Sequence, residues 1–277
     1  MEPNIAEEFE FNETEKVVFD QIRVWLNDRC GMYYPDKKQE LLFNRLLRVC
    51  KNYSFNDLSE LLANLHADDS VEIQLAVMSA ASTNHTYFFR EPQSLDYYRD
   101  VILPSLEDGD NRIWSAAASS GDEAYTIAMI TAEQRGMAWT KQNFTLLGTD
   151  ISAPVIVKAE KGIYKNAHLE HVPPHIFHNY FEKTGENQHR VNADIRRLCT
   201  FRRMNLKNYP YPFQGQFDIV FCRNVLYYFE EETQAQIVEN LYNVTKSGGW
   251  LLTCVTGSLR YLKTSWIPVA NGIYRKY

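Results

Sequence analysis

The sequence predicts an α/β fold in which a mostly parallel, doubly wound sheet with a small inserted β-subdomain follows a separate all-α domain. Two observations predict it. From Arg112 onward, short apolar runs that suit buried strands alternate with helical patterns, which is typical of a parallel sheet covered by helices. Residues 1–82 show helical patterns with no strand-like run between them, which is typical of a small bundle. The predicted domains are therefore 1–82 and 83–277.

The N-terminal helices carry recognisable start and stop signals. Asn12 and Glu15 form a potential capping box for a first helix that ends near Gly31. Three more helices are predicted to begin after Pro35-Asp36, at Ser54 or Asp57, and at Asp69-Ser70.

The second of these helices has a basic face formed by Lys38, Arg45 and Arg48. A solvated helix surface is the more common origin of such a face. The functional alternative is a docking face for an acidic partner.

Composition and charge exclude several classes of function. The chain has 277 residues, 45% of them hydrophobic and 23% charged, which is enough apolar material for a large core. Its net charge of −6 argues against nucleic acid as a partner. Five cysteines without a C-x-x-C pair indicate reduced thiols, and the acidic N-terminus is no signal peptide. We expect a cytoplasmic protein with no direct membrane insertion.

The most informative stretch runs from Arg112 to Tyr125. The apolar pair Ile113-Trp114 suits a strand, residues 115–121 are all small, and a helical pattern begins at Asp122. A strand that passes through small residues into a helix brings backbone N–H groups and a helix N-terminus close to a ligand.

The next predicted strand, residues 144–150, ends in Asp150. An acid in that position can hydrogen-bond ribose hydroxyls. Together the two features indicate a site for a nucleoside-containing cofactor. The alternative is an ordinary strand–turn–helix with a capping aspartate.

The remaining α/β elements follow in order. A helix is predicted over 153–161, and a polar turn at 183–188 between strand-like pieces predicts a small hairpin within an inserted β-subdomain at about 180–204. Further strands are predicted at 200–204, 216–222 and 250–255, with a final edge strand at 273–277 and a helix at 231–245. Because ligands bind beyond the carboxyl ends of parallel strands, residues 115–123, Asp150, Asn205-Leu206 and Arg223-Asn224 are expected to converge.

Two other segments allow alternatives. Residues 83–91 (TNHTYFFRE) combine core-type aromatics with polar side chains, so they are either a structural linker or a linker that turns Asn84, Thr86 and Arg90 toward a site. The Arg90 guanidinium is a planar fork suited to a carboxylate. Four histidines at 168, 171, 175 and 178 are interrupted by Pro173-Pro174 and lack further ligands, so we expect surface histidines and no metal site.

Four motifs together resemble one family, the CheR-type chemotaxis receptor methyltransferases, which are protein-glutamate O-methyltransferases. They are 83–91 (TNHTYFFRE), 114–123 (WSAAASSGDE), 148–150 (GTD) and 217–226 (FDIVFCRNVL). The resemblance covers nearly the whole chain. It implies a Rossmann-like S-adenosylmethionine-binding domain and S-adenosylhomocysteine as product.

The resemblance also implies the residues of the site. The positions that match the family's cofactor-binding residues are Asn84, Thr86, Arg90, Glu123, Asp150, Asn205, Leu206, Arg223 and Asn224. Tyr228 matches a tyrosine beside the transferred methyl group, so Arg90 and Tyr228 are the candidate catalytic residues. The implied substrate is the helical cytoplasmic domain of chemoreceptors, and the face formed by Lys38, Arg45 and Arg48 would dock it.

The chain departs from the family pattern in four places. Residues 117–119 (AAS) and Ala124 replace a more usual Gly-Cys-Ser and Pro, and residues 255–258 (VTGS) replace a Gly-His-Ser-Glu-like turn. The segment 181–205 looks shorter and poorer in glycine than in members that bind a receptor's C-terminal pentapeptide tether. We therefore expect an enzyme that needs no such tether. We also expect a monomer.

Other function classes stay open at this point. A noncatalytic signalling adaptor with the same fold could bind the cofactor, and the turn at 255–258 is the only support for it. A nicotinamide oxidoreductase is disfavoured because G-x-G-x-x-G is absent. A nucleic-acid methyltransferase is disfavoured by the acidic balance and the lack of an Asn-Pro-Pro-Tyr-like motif.

Overall fold

A computed structural model describes residues 11–67, 69–254 and 259–277. The chain divides into two compact units, Met1–Thr83 and Asn84–Tyr277. None of the described helices is long and apolar enough to cross a membrane.

The N-terminal unit is helical, as the sequence predicts. Its helices are α1 (Glu13–Cys30), α2 (Gln39–Tyr53), α3 (Leu58–Leu65) and α4 (Val71–Ala81). The capping box of Asn12 and Glu15 is confirmed, and Gly31 ends α1 with a left-handed φ of 75°. Asp57 caps α3 by accepting a hydrogen bond from the Glu60 N–H, whereas Ser54 instead ends α2 in a left-handed conformation.

The core of this unit is formed where the apolar faces of the helices meet. Its fully buried side chains include Phe19, Ile22, Leu26, Leu42, Leu46 and Leu61. Their spacing of three and four residues is that of amphipathic helices that bury one face.

The α/β unit contains a seven-stranded sheet. Its strands are β1 (Asn111–Ala116), β2 (Phe144–Asp150), β6 (Cys199–Arg203), β7 (Phe217–Phe221), β8 (Thr245–Leu252), β9 (Ile267–Ala270) and β10 (Ile273–Arg275), in the order β6-β2-β1-β7-β8-β10-β9. The first five strands of that order are parallel, and β10 is antiparallel to both of its neighbours. The prediction that residues 273–277 form the edge strand is wrong. Residues 273–275 form β10, and β9 pairs with its outer side and is the edge strand.

Helices cover both faces of this sheet. They are α5 (Pro92–Tyr97), α6 (Asp122–Arg135), α7 (Met137–Asn143), α8 (Ala153–Lys161), α9 (Pro174–Tyr180), α10 (Ala193–Leu198) and α11 (Glu231–Asn243). Ile113 and Trp114 are both fully buried but lie in two different hydrophobic clusters. Since successive side chains of a strand point to opposite faces, each face of the sheet has its own core, as a doubly wound fold requires.

A separate three-stranded antiparallel sheet is formed by β3 (Ile163–Lys165), β4 (Phe181–Gly185) and β5 (Gln188–Val191), with β5 in the centre. The expected β-subdomain at about 180–204 is thus misplaced at both ends. Its first strand precedes residue 180 by more than a dozen positions. Residues 199–203 form β6, which pairs in parallel with β2 of the large sheet.

Candidate functional site

The loop between β1 and α6 has a strained backbone. Ala117, Ser119 and Gly121 have φ values of 72°, 49° and 89°, although only the last is a glycine. Left-handed conformations cost roughly 1–3 kcal/mol at ordinary residues and persist where the surrounding structure fixes them. Here the Ala118 N–H donates to the Thr149 carbonyl at 2.8 Å and the Gly121 N–H to the Ala118 carbonyl at 2.9 Å. The loop is therefore held against the end of β2.

Two glycines allow this close approach. A Cβ atom added at Gly148 of β2 would lie 2.6 Å from the Phe201 ring, and one added at Gly121 would lie 3.2 Å from the same ring. Phe201 of β6 is buried and occupies the space that those side chains would need. The loop and β2 can pack on this ring only because both residues lack a side chain.

Asp150 lies at the carboxyl end of β2, where the sequence predicts a ribose-binding acid. Its two carboxylate oxygens accept hydrogen bonds from the Ser119 N–H at 2.9 Å and the Ser152 N–H at 3.0 Å. Burial raises the pKa of Asp150 above its usual value, and the backbone N–H donors oppose that shift. A carboxylate has about four lone-pair sites, so each oxygen can still accept a hydroxyl from a ligand.

The end of β6 borders the same acid. The Met204 N–H donates to the Asp150 carbonyl at 2.8 Å, which places Asn205 and Leu206 directly after this contact. Leu206 is buried, and its carbonyl accepts the Tyr211 hydroxyl at 2.8 Å. The Asn205 side chain accepts the Lys207 N–H at 3.1 Å. These contacts fix the backbone that follows β6 beside the carbonyl of Asp150.

A buried arginine connects three segments of the site. The Arg223 side chain is 2% exposed, and its Nη1 donates to a Glu123 oxygen at 3.0 Å. The other Glu123 oxygen accepts the Ser115 hydroxyl at 2.7 Å. Arg223 Nη2 also donates to the Arg90 carbonyl at 2.6 Å. Glu123, Arg90 and Arg223, which the sequence predicts to lie in the site, are therefore brought together.

The segment that carries Arg90 packs into the α/β unit and contacts the strained loop. Phe88 is fully buried and packs on Tyr164 with ring centroids 4.8 Å apart. The Asn84 carbonyl accepts the Ser119 hydroxyl of the strained loop at 3.2 Å, and Thr86 is half-buried. Arg90 donates to the His85 carbonyl at 2.8 Å, so its guanidinium has a defined direction.

Asn224 belongs to the same network through a residue that the sequence did not single out. Its side-chain Nδ2 donates to Glu91 Oε1 at 2.8 Å, and Glu91 Oε2 lies 3.4 Å from Arg223 Nη2. Phe89, Glu91 and Asn224 all have positive φ. In the sequence, Glu91 is notable only because it lies between Arg90 and Pro92, and this position does not by itself indicate a role.

Tyr228 ends a short 3-10 turn, Leu226–Tyr228, at the carboxyl end of β7. Its ring lies 4.5 Å from the Tyr227 ring, and the two hydroxyl oxygens are 3.5 Å apart. Burial raises the pKa of the Tyr227 hydroxyl, the Tyr228 hydroxyl adds to that shift, and the Arg90 charge opposes it. The Arg90 charge thus acts on the hydroxyl of Tyr227, which contacts Tyr228.

The site has the features expected for a zwitterionic nucleoside ligand. Five of the six non-glycine residues with positive φ in the described part of the chain lie in its segments. Glu91 Oε2, Asp122 Oδ1 and Arg223 Nε are buried without a hydrogen-bond partner. Carboxylates at 123 and 150 suit hydroxyl and ammonium donors, while Arg90 suits a carboxylate. Strained backbone and unsatisfied buried groups are typical of binding sites.

The basic face of α2 is less uniform than the sequence suggests. Lys38 lies in the 3-10 turn Asp36–Lys38 that precedes α2 and not on the helix itself, and both Lys38 and Arg48 are exposed. Arg45 is half-buried, and its guanidinium donates to the Ala81 carbonyl at 2.8 Å and to the Thr83 hydroxyl at 3.1 Å. Arg45 therefore has a structural role within the helical unit.

The four histidines also differ from one another. His171, His175 and His178 are exposed, whereas His168 Nδ1 lies 3.6 Å from an oxygen of the fully buried Asp122. Within residues 11–67, 69–254 and 259–277, no group of three or more His, Cys, Asp or Glu side chains could hold a metal ion. The departure at 255–258 lies outside the described residues.

A strained small-residue loop, a buried acid at the end of the next strand and a doubly wound sheet define a Rossmann-like cofactor-binding enzyme domain. Residues 84–271 match the family model described as "CheR methyltransferase, SAM binding domain", and residues 18–77 match "CheR methyltransferase, all-alpha domain". The chain belongs to the CheR methyltransferase family, and it is an S-adenosylmethionine-dependent methyltransferase.

Relatives are similar over most of their length. A chemotaxis protein methyltransferase of Borreliella burgdorferi is 34% identical over 80% of this chain and 81% of its own. One from Vibrio parahaemolyticus is 34% identical over 85% of this chain and 86% of its own. One from Escherichia coli is 32% identical over 92% of this chain and 89% of its own.

Proposed function

We propose that this enzyme transfers the methyl group of S-adenosylmethionine to glutamate side chains of chemoreceptors, the methyl-accepting chemotaxis proteins. The products would be glutamate methyl esters and S-adenosylhomocysteine. The observation that carries the proposal is the position of Arg90. The Arg90 guanidinium is a cation suited to a carboxylate. The Arg90 backbone is held beside the cofactor site because its carbonyl accepts a hydrogen bond from Arg223. The relatives' name, chemotaxis protein methyltransferase, supports the same substrate class.

Each residue of the site has a binding role in this proposal. Asp150 would accept the ribose hydroxyls, and Asn205 with Leu206 would border the adenine. Glu123 would accept hydrogen bonds from the ammonium group of the methionine end, and Arg90 would bind carboxylates, both that of the methionine end and that of the substrate. Asn84, Thr86, Arg223 and Asn224 would complete the enclosure.

The chemistry requires little acid–base catalysis. S-adenosylmethionine supplies an electrophilic methyl group on a positively charged sulfur. A glutamate side chain, with a pKa of about 4.3 in water, is already ionised at neutral pH and needs no general base. The protein's contribution would be alignment: Arg90 would hold the substrate carboxylate, Tyr228 would fix its approach, and the closed site would exclude water. This explains why no catalytic dyad stands out in the sequence.

The proposal is tested by incubating the enzyme with the cytoplasmic domain of a chemoreceptor from the same organism and with labelled S-adenosylmethionine. We expect base-labile label on the receptor, lost when the methyl-accepting glutamates are replaced by alanine. Isothermal titration should show binding of S-adenosylhomocysteine that Asp150→Ala weakens by at least about 100-fold, because a charged acceptor is lost from a buried site. Cofactor binding without transfer to any receptor would instead support a noncatalytic adaptor.

We also propose that the face formed by Lys38, Arg45 and Arg48 docks the acid-rich methylation helices of the receptor, with Lys38 and Arg48 as its exposed members. Lys38→Glu with Arg48→Glu should raise the KM for the receptor domain and leave the affinity for S-adenosylhomocysteine unchanged. Equal losses of both would contradict the docking role. Arg45 is unsuitable for this test because its internal hydrogen bonds would be lost as well.

A last part of the proposal is that the enzyme acts as a cytoplasmic monomer without a receptor tether. A synthetic peptide with the C-terminal five residues of a tethering receptor should show no binding by isothermal titration. Micromolar binding would contradict tether independence, and a dimer in analytical ultracentrifugation would contradict the monomer.

A further inference from the structure

Glu91 lies between two segments of the site that are far apart in the sequence. It follows Arg90 directly, and its carboxylate contacts Asn224 and Arg223, both of which are 132 or more positions away. None of the binding roles proposed above belongs to Glu91. Its geometry nevertheless controls several residues that have such roles.

The backbone of Glu91 is strained. Its φ and ψ are 55° and 71°, it is not a glycine, and Pro92 follows it. Phe89, two residues earlier, has a φ of 57°, and Asn224 on the opposite segment has a φ of 56°. Strained residues keep such conformations only where other contacts fix them. The hydrogen bond between Asn224 Nδ2 and Glu91 Oε1 at 2.8 Å directly joins two of them.

The same carboxylate determines the direction of the Asn224 amide. An ionised carboxylate only accepts hydrogen bonds, so Asn224 must turn its NH2 group toward Glu91. The amide oxygen of Asn224 is then the group left to face a ligand donor. Without Glu91 the amide could rotate and present its NH2 group instead.

Glu91 also restrains Arg223. That guanidinium lies between two carboxylates, with Glu123 at 3.0 Å and Glu91 at 3.4 Å, and its side chain is 2% exposed. It donates to the Arg90 carbonyl at 2.6 Å. Since the Arg90 carbonyl and the Glu91 carboxylate hold the same Nη2 atom, the position of the Arg90 segment is set by two contacts at once.

We propose that Glu91 is a positioning residue for the cofactor site, which fixes the Asn224 amide and the Arg90 segment in the orientation that binds S-adenosylmethionine. The proposal rests on the cofactor-binding roles given to Arg90 and Asn224 under the proposed function. Its buried oxygen Oε2 has no hydrogen-bond partner and is 3.4 Å from Arg223, so the charge of this oxygen, rather than a hydrogen bond, restrains the guanidinium.

The test is the affinity for S-adenosylhomocysteine, measured by isothermal titration on Glu91→Gln and Glu91→Ala. Glutamine can still accept from Asn224 but places an NH2 group toward Arg223, so about a tenfold loss is expected. Alanine removes both contacts, and a loss of about 100-fold is expected. If Glu91→Ala does not fold, Glu91→Gln decides. Affinities within about twofold of wild type in the folded variants would overturn the proposal.

Glu133→Ala is the matched control. Glu133 on α6 accepts the Tyr180 hydroxyl at 2.7 Å, so its loss also removes a carboxylate contact between two elements. We expect a lower melting temperature for this variant with cofactor-product affinity within about twofold of wild type. An affinity loss equal to that of Glu91→Ala would mean that general loosening is responsible, and the positioning role would be wrong.

A double-mutant cycle separates positioning from an independent contact. If Glu91 acts through Asn224, Glu91→Ala and Asn224→Ala together should cost less affinity than the sum of the single changes. Full additivity would overturn the coupling. Because product binding needs no receptor, a failure to methylate chemoreceptors would count against the proposed substrate and would leave this result unaffected.

Discussion

The helical unit and the cofactor site of the α/β unit are stabilised by contacts of different range. In the helical unit the helix caps act over three positions, as between Asn12 and Glu15 and between Asp57 and Glu60, and the ion pair of Lys16 and Asp20 acts over four. The cofactor site also contains hydrogen bonds of much longer range, which join residues 100 positions apart, as for Glu123 and Arg223, or 133 positions apart, as for Glu91 and Asn224.

Backbone strain follows the same division. The helical unit has one non-glycine residue with positive φ among its described residues, Ser54, and that residue ends a helix. The other five lie around the cofactor site. Local hydrogen bonds suffice where the backbone adopts its preferred conformations, whereas strained segments need a completed tertiary structure to hold them.

The largest expected effect is that of Arg223→Ala. It would leave the half-buried carboxylates of Glu91 and Glu123 without the cation that lies between them, which costs about 3–5 kcal/mol of stability. Arg45→Ala in the helical unit, where the guanidinium mainly contacts carbonyl and hydroxyl oxygens, should cost about 1–2 kcal/mol. Urea unfolding measures both. A smaller loss for Arg223 than for Arg45 would contradict the view that the site depends more on long-range contacts.

A steric change inside the site should have the next largest effect. In Gly148→Ala the new methyl group would meet the Phe201 ring at 2.6 Å, and the overpacking should cost about 1–3 kcal/mol. The Ala118 methyl at 3.1 Å would also be displaced, so cofactor affinity should fall. Gly185→Ala is the control, since its new methyl group would make only ordinary contacts from 3.7 Å outward. Thermal unfolding that is equal for both variants would refute the packing argument.

Removal of a local cap should have a smaller and confined effect. Asn12→Ala removes the acceptor of the Glu15 N–H at the start of α1 and should cost about 1 kcal/mol. The affinity for S-adenosylhomocysteine, measured on the same variant, should stay at the wild-type value because the cap acts within α1. A change of more than about twofold would show that the cap affects the cofactor site.

The smallest effect should be electrostatic and dependent on pH. Burial alone would raise the pKa of Asp20, but hydrogen bonds from Lys16 and Arg23 outweigh it and hold the pKa below its usual value. Stability from this group is therefore present above the unfolded-state pKa of about 3.9 and is lost as the pH falls through the lower folded-state value. Because Asp20 is 43% exposed, Asp20→Asn should cost no more than about 0.5 kcal/mol at pH 7. The difference should vanish in strong acid. A difference that grows in acid would show the opposite sign of coupling.

The sequence predicted those parts of the molecule whose signals are local. The capping box at Asn12 and the glycine at the end of α1 act on backbone groups a few residues away, and one oxygen of the acid at the end of β2 accepts from the Ser152 N–H two positions on. All three lie where they were expected. The predictions that were wrong concern which strands pair with each other in a sheet. Residues 273–275 are apolar enough for any strand, but only the sheet decides that β9 lies outside them.

The sequence by itself determined the class of fold, the strand–loop–helix that forms the cofactor site, the acid beside it and, through four motifs, the family. These depend on periodicity, on glycine and small residues, and on helix signals, all of which are local. Only the tertiary structure decided that Arg45 binds carbonyl groups of its own unit and that Glu91 joins Arg223 and Asn224. The physical reason is that a charged side chain finds its partner through space, and chain segments over a hundred residues apart become neighbours only when the sheet has formed.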